Sequence, residues 1–171
     1  KRRLRQGQIR KYQQTDNQWQ KLASKDLENL DSDERRLYAK LDQELMDAPT
    51  NVKDFMPTRF GNILRSAETI PTERFGLDAI VCWSRLWLII PSQARTELSH
   101  VRASINQAVI GGMFSLAFVV FSFWSWWAIL VAIIGLLFSY SSLINSASSY
   151  RDLVLSTFDL YRLDLYKAVH W

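Results

Sequence analysis

Along residues 1–47 the polar and apolar positions follow a helical period, and helix formers (Gln, Lys, Leu, Glu, Arg) dominate, with neither Pro nor Gly after Gly7 until Pro49. Ile9, Tyr12, Trp19, Leu22, Leu27 and Leu30 fall only loosely on one face. Leu30, Leu37, Leu41 and Leu45 make a better stripe, in steps of seven and four. Asp31 followed by Glu34 has the spacing of a capping box, so a second helix is expected to begin near Ser32, and Pro49 ends it. The segment reads as a helical hairpin or one kinked helix with a narrow apolar seam. The clean heptads of a long coiled coil are absent.

Residues 48–91 are punctuated by Pro49, Pro57, Pro71 and Pro91, with Gly61 and Gly76 between them. Short helices fit between the breaks. Thr58 is placed to cap one that runs through Phe60, Ile63, Leu64 and Ala67. A second, over 77–90, is apolar on most sides and interrupted only by Asp78, Ser84 and Arg85. At about 21 Å it is too short to cross a hydrocarbon layer of about 30 Å. It is expected to be buried or to lie in a membrane interface, where Trp83, Trp87 and Arg85 are at home.

Residues 92–171 carry the longest apolar pattern. Ser92 after Pro91 marks a helix start, and no Asp, Glu, Lys, Arg or His occurs over the 48 residues 103–150. As one helix that stretch would measure about 72 Å, more than twice the hydrocarbon thickness, so it must fold back. The natural break is Ser122-Phe123-Trp124-Ser125-Trp126-Trp127, an aromatic cluster of the kind found at membrane–water boundaries, with Ser125 placed to cap the return. Transmembrane helices are expected near 104–123 and 126–146. Beyond them, Leu155, Phe158, Leu163, Tyr166 and Val169 alternate with charges as in an amphipathic helix continuing from the second span. The fold class is therefore all-α, a cytoplasmic helical domain plus a transmembrane helical hairpin.

Composition changes this picture little, because the averages conceal two unlike halves: hydrophobic residues are 48% and charged residues 22%, and the mean hydropathy is -0.10. Charge adds more. The net charge is +4, and Lys1, Arg2, Arg3, Arg5, Arg10 and Lys11 all precede the first acid, Asp16. Beside a long apolar segment, Lys1, Arg2, Arg3 and Arg5 read as contacts to anionic lipid; nucleic acid is not an expected partner, since no recognition module accompanies them. Arg95 and Arg102 flank the first span, and Arg151, Arg162 and Lys167 follow the second, while the tip is uncharged. By the positive-inside rule both ends and the soluble half face the cytoplasm. The basic start also resembles the cytoplasmic flank of an earlier span upstream.

Chemistry-bearing patterns are few. Cys82 is the single cysteine, and His100 and His170 are the two histidines, so neither a disulfide framework nor a cysteine-based metal site fits within this chain. No phosphate loop, nucleophile elbow or zinc signature occurs, and no cofactor, metal or catalytic residue is expected. Arg59, Arg65, Glu68, Glu73, Arg74 and Asp78 are expected to form a structural ion-pair cluster. The clearest pattern is one of small residues. Gly135, Ser139, Ser142, Ser146 and Ser149 recur in steps of 4, 3, 4 and 3, and the first span offers Ser104, Ala108, Gly111, Ser115 and Ser122, with Gly112 adjacent. Such stripes let helices approach closely in lipid. The two stripes face each other, or they meet a neighbouring subunit, or they line a water-filled path. Trp124, Trp126, Trp127, Arg102 and Arg151 are the expected interface anchors.

Two blocks resemble a family of uncharacterised bacterial integral membrane proteins. One is Met56-Pro57-Thr58-Arg59-Phe60-Gly61-Asn62-Ile63-Leu64-Arg65-Ser66-Ala67-Glu68, with Arg74-Phe75-Gly76-Leu77-Asp78-Ala79 and Trp83-Ser84-Arg85-Leu86-Trp87 after it. The other is Ser149-Tyr150-Arg151-Asp152-Leu153-Val154 with Phe158-Asp159-Leu160-Tyr161-Arg162-Leu163-Asp164-Leu165-Tyr166-Lys167. The resemblance covers residues 50–171 and implies architecture, including a further membrane segment upstream, and a place in the plasma (inner) membrane of a bacterium, but no activity. The expected role is a non-catalytic oligomeric assembly or scaffold subunit whose cytoplasmic helices bind a partner; the alternative is an oligomeric channel or pore. The expected partners are the lipid bilayer and either further copies of the chain or other membrane proteins.

Overall fold

The computed structural model describes residues 2–25 and 31–169. The described residues are 88% helical, with no strand among them. The chain divides into two compact units, Lys1–Ile80 and Val81–Trp171, whereas the prolines and the apolar pattern place breaks near 47 and 91.

In the first unit α1 (Arg2–Ala23) and α2 (Ser32–Met46) form an antiparallel hairpin. Trp19 stacks on Tyr38 with ring centres 5.6 Å apart, Lys11 reaches Glu44 at 3.8 Å, and Lys25 Nζ donates to Glu34 at 2.6 Å. Leu41 is buried, but Leu37 is 46% exposed. The half-buried Tyr38 beside it faces α1 instead, because the Trp19 ring offers it a larger apolar partner. Leu27 and Leu30 lie outside the described residues. The start of α2 is fixed locally: the Asp31 carboxylate accepts the Ser32 N–H at 2.7 Å, and the Glu34 carboxylate accepts the Asp31 N–H at 3.4 Å, closing the capping box. Those bonds, with that from Lys25 first among them, hold the Glu34 carboxyl below its usual value of 4.5.

A 3₁₀ turn, Val52–Asp54, leads into α3 (Arg59–Phe75). Thr58 Oγ1 accepts the Gly61 N–H at 3.1 Å and so caps α3 where the sequence places the cap. Gly61 is required there, since a Cβ would lie 2.9 Å from Met56 Cβ. The helix does not stop at Pro71, as the proline pattern predicts, but continues to Phe75. Ile70 and Pro71 are both buried, and that burial outweighs the one hydrogen bond that proline withholds. Gly76, at φ 67°, ends the helix by donating its N–H to the Pro71 and Thr72 carbonyls.

α4 (Ala79–Ile89) begins where Asp78 Oδ1 accepts the Ile80 N–H at 2.9 Å. In the second unit α5 (Ser92–Phe118) starts directly after Pro91 and tightens into a 3₁₀ turn, Val119–Phe123. The chain reverses through Trp124, Ser125 and Trp126, and α6 (Trp127–Val169) returns antiparallel as one uninterrupted helix of 43 residues. The predicted second span and the amphipathic segment after it are thus parts of the same helix. Ser125 contributes its backbone carbonyl to the start of α6, accepting the Ala128 N–H at 3.1 Å.

Candidate functional site: a close-packed apolar helix pair

Inward positions of α5, among them Leu98, Val101, Ile105, Ala108, Gly112 and Ser115, recur in steps of three and four, the spacing of two helices packed at a shallow left-handed angle. Where the pair is tightest, every facing residue is small. Ser139 Oγ donates across the seam to the Ala108 carbonyl at 2.7 Å. A Cβ on Gly111 would lie 3.0 Å from that Oγ, and one on Gly112 would lie 3.5 Å away. A Cβ on Gly135 would overlap Ser115 Oγ outright. The Ser115 hydroxyl donates back to the Gly111 carbonyl of its own helix at 2.9 Å. Both serines therefore spend their protons on backbone carbonyls.

The seam runs further toward the turn than the glycine and serine pattern indicates. Ala128 and Ala132 are 2% and 1% exposed. They continue Gly135 and Ser139 in steps of four and three, a signal the second-span stripe omits because only glycine and serine are counted there. In the other direction the stripe and the buried line part. Ser142 and Ser146 are half-buried and Ser149 is exposed, its hydroxyl donating to the Asn145 carbonyl at 3.1 Å. The buried positions there, as far as Phe158, are Ile144, Ala147, Ser148, Arg151, Val154, Thr157 and Phe158. In this region α6 has a second neighbour in α4, since Trp83 lies 6.3 Å from the Phe158 ring, and the buried arc is correspondingly wider. Ser104, on α5, is exposed and donates to its own helix at His100.

The expected anchors divide. Trp124, Trp126 and Trp127 are 95%, 76% and 54% exposed around the turn, and Arg102 is exposed at the other end. Arg151 is not at the surface. Its side chain is buried, and the guanidinium donates to Asp152 Oδ1 through Nε at 3.0 Å and through a terminal nitrogen at 2.6 Å. Burying a guanidinium is tolerable only with such a carboxylate beside it. Outward, the pair presents Ile110, Met113, Phe114, Val120, Ile134, Leu137 and Phe138, all exposed. Both helices are long and apolar enough to cross a membrane, and only 6% and 17% of their apolar windows are buried inside the protein.

The first unit distributes its charges otherwise than expected. Arg2 and Arg3 are exposed, whereas Arg5 is committed to structure, donating to the Val52 and Lys53 carbonyls at 2.9 and 2.8 Å. Lys1 lies outside the described residues. The charges around the prolines resolve into separate contacts instead of one cluster. Arg59 meets the buried Asp47 at 3.1 Å, Arg65 pairs with Asp54 at 2.7 Å and Glu68 at 3.0 Å, Glu73 accepts from Asn51 at 3.1 Å, and Asp78 caps α4. Hydrogen bonds donated to Asp54 and then to Glu68 raise the Arg65 pKa above its usual value, so it is charged throughout. Tyr12, raised above 10.0 by burial and then by Asp16, stays a neutral phenol, its ring edge-on to Phe55 at 5.3 Å. The cleft lined by Tyr12, Asp47 and Asn62 encloses about 40 Å³, room for water and not for an organic ligand. The Cys82 thiol is half-buried. Among the described residues no three His, Cys, Asp or Glu side chains gather as a metal site. Comparison with family models, with curated proteins and with solved structures found no match.

Proposed function

We propose that this protein is an integral membrane protein in which α5 and α6 cross the bilayer as a pair, and that it serves as a non-catalytic assembly or scaffold subunit. The observation that carries this reading is the uncovered apolar surface. Some forty-eight residues without a charge fold into two helices that bury little more than one stripe of each. Water would solvate such a surface poorly, whereas lipid matches it. Packing through small residues with a hydroxyl bonded across the seam is also how helices associate where the hydrophobic drive is absent. In this reading the aromatic turn lies at the outer interface, the charged ends and the helices of the first unit are cytoplasmic, and the exposed Arg2 and Arg3 stand where anionic lipid would meet them. The unit Lys1–Ile80 would be the part offered to a partner protein.

An oligomeric channel has less support. Between Ile110 and Phe138 the exposed positions among the described residues are Leu, Ile, Val, Met, Phe, Trp and Ala, and Ser115 and Ser139 have their hydroxyl protons bound to carbonyls. Topology is tested with single cysteines at Ser92 and Ser125 in a Cys82→Ser background, labelled from outside by an impermeant maleimide. Labelling at Ser125 alone is expected; labelling at Ser92 alone would invert the orientation.

A further inference from the structure

Within the second unit, α4, α5 and α6 leave a groove of about 450 Å³ at the charged end of the helix pair. That volume lies in the usual range for a small organic ligand. Trp83 and Trp87 of α4, Leu98 of α5 and Tyr150 of α6 line it, with Ser84, Ser99 and Arg102 as polar members. The groove is built from fixed elements. The two indoles stand 6.0 Å apart, and Trp83 also packs on Phe158. Arg95 ties the end of α4 to α5 by donating to the Ile90 and Leu88 carbonyls at 3.1 and 3.2 Å.

Three observations select the occupant. The walls are aromatic and apolar, so a bare inorganic anion would leave most of them wet. Arg102 has no acidic side chain within ion-pair distance among the described residues, so the groove carries an uncompensated positive charge. An aromatic cage alone would suit a quaternary ammonium, but Arg102 at its rim disfavours any cation. Finally, Arg102 and Tyr150 stand at the two borders of the charge-free stretch. Resting on the membrane reading above, that position puts the groove at headgroup depth. We propose that it binds one anionic phospholipid, with the phosphate at Arg102 and the glycerol and upper acyl carbons along Trp83, Trp87 and Leu98.

The test uses the full chain in detergent, titrated with phosphatidylglycerol, with phosphatidylcholine of the same acyl chains, or with inorganic phosphate, and read by native mass spectrometry. One phosphatidylglycerol should be retained per chain, with about a fivefold preference over phosphatidylcholine, the contribution of one arginine near an anionic headgroup. Arg102→Gln should reduce retention to the phosphatidylcholine level. Lys167→Gln, which removes an equal charge from an exposed position, should leave the preference intact. Trp87→Ala should weaken both lipids, and Trp87→Phe should restore them. Equal retention of the two lipids, an Arg102→Gln variant that behaves as the parent, or displacement of lipid by excess inorganic phosphate would each overturn the proposal. Alkaline carbonate extraction of the expressing cells separates its failure from that of the membrane reading. A chain released into the soluble fraction overturns both, whereas a membrane-bound chain without lipid preference overturns the groove alone.

Discussion

Gly135 faces Ser115 with no room for a methyl group between them, which makes this the most sensitive point of the helix pair. Gly135→Ala should destabilise the protein by about 1–3 kcal/mol, the usual cost of overfilling a tight contact, measured by equilibrium unfolding in mixed micelles. Adding Ser115→Gly should recover part of that loss, since it removes the obstructing hydroxyl, and the two changes should be less than additive. Leu137→Ile, on a side chain that is largely exposed, should leave the midpoint unchanged. Ser139→Ala removes one bond across the seam and should cost about 0.6 kcal/mol, with about 1.7 kcal/mol as the upper end for such bonds. If Gly135→Ala proved as mild as Leu137→Ile, the close approach of α5 and α6 would be wrong.

At the scale of the element, the start of α2 is the most chemically explicit feature. Its Glu34 has a folded pKa below 4.5, chiefly through Lys25. A lowered value stabilises the fold while the carboxylate is charged, so the contribution is complete above 4.5 and fades as the pH falls through the folded value. The difference in melting temperature between the parent and Glu34→Gln should therefore be constant near neutrality and shrink in acid. A difference that grows in acid would contradict the assignment. Caps of this kind were legible in the sequence because Asp31, Glu34 and Thr58 act within one turn of themselves. Pro71 was misread for the opposite reason: whether a helix tolerates proline depends on what buries Ile70 and Pro71, which no local pattern states. The tightest part of the seam, Gly111 to Ser115 against Gly135 and Ser139, was visible as a repeat of small residues. Its extension to Ala128 and Ala132 was hidden by alanine's commonness, and the burial of Arg151 depends on tertiary packing that no local pattern states.

For the molecule as a whole, depth in the bilayer should decide how a new charge is tolerated. Ile133→Asp, on the outward face of α6, should strongly reduce the amount of chain recovered in membranes, since a mid-span aspartate costs about 2.5–3.5 kcal/mol on insertion scales. Trp126→Asp, at the turn, should cost clearly less. Equal losses in a membrane-fraction immunoblot would show the turn to be misplaced. A mechanical consequence follows from α6. Its 43 residues make a rod about 65 Å long, and a hydrocarbon layer of about 30 Å holds less than half of it. Past Gly135 the rod contains neither Gly nor Pro, the residues at which helices bend sharply. When a membrane thins or thickens, a span adjusts by tilting, and if α6 spans as proposed, a rod without such a bend would carry that tilt toward its far end. An inclination of about 20° would sweep a projecting arm of about 30 Å sideways by about 10 Å. Lipid thickness, which carries no chemical signal of its own, would thereby become a lever stroke in the aqueous phase.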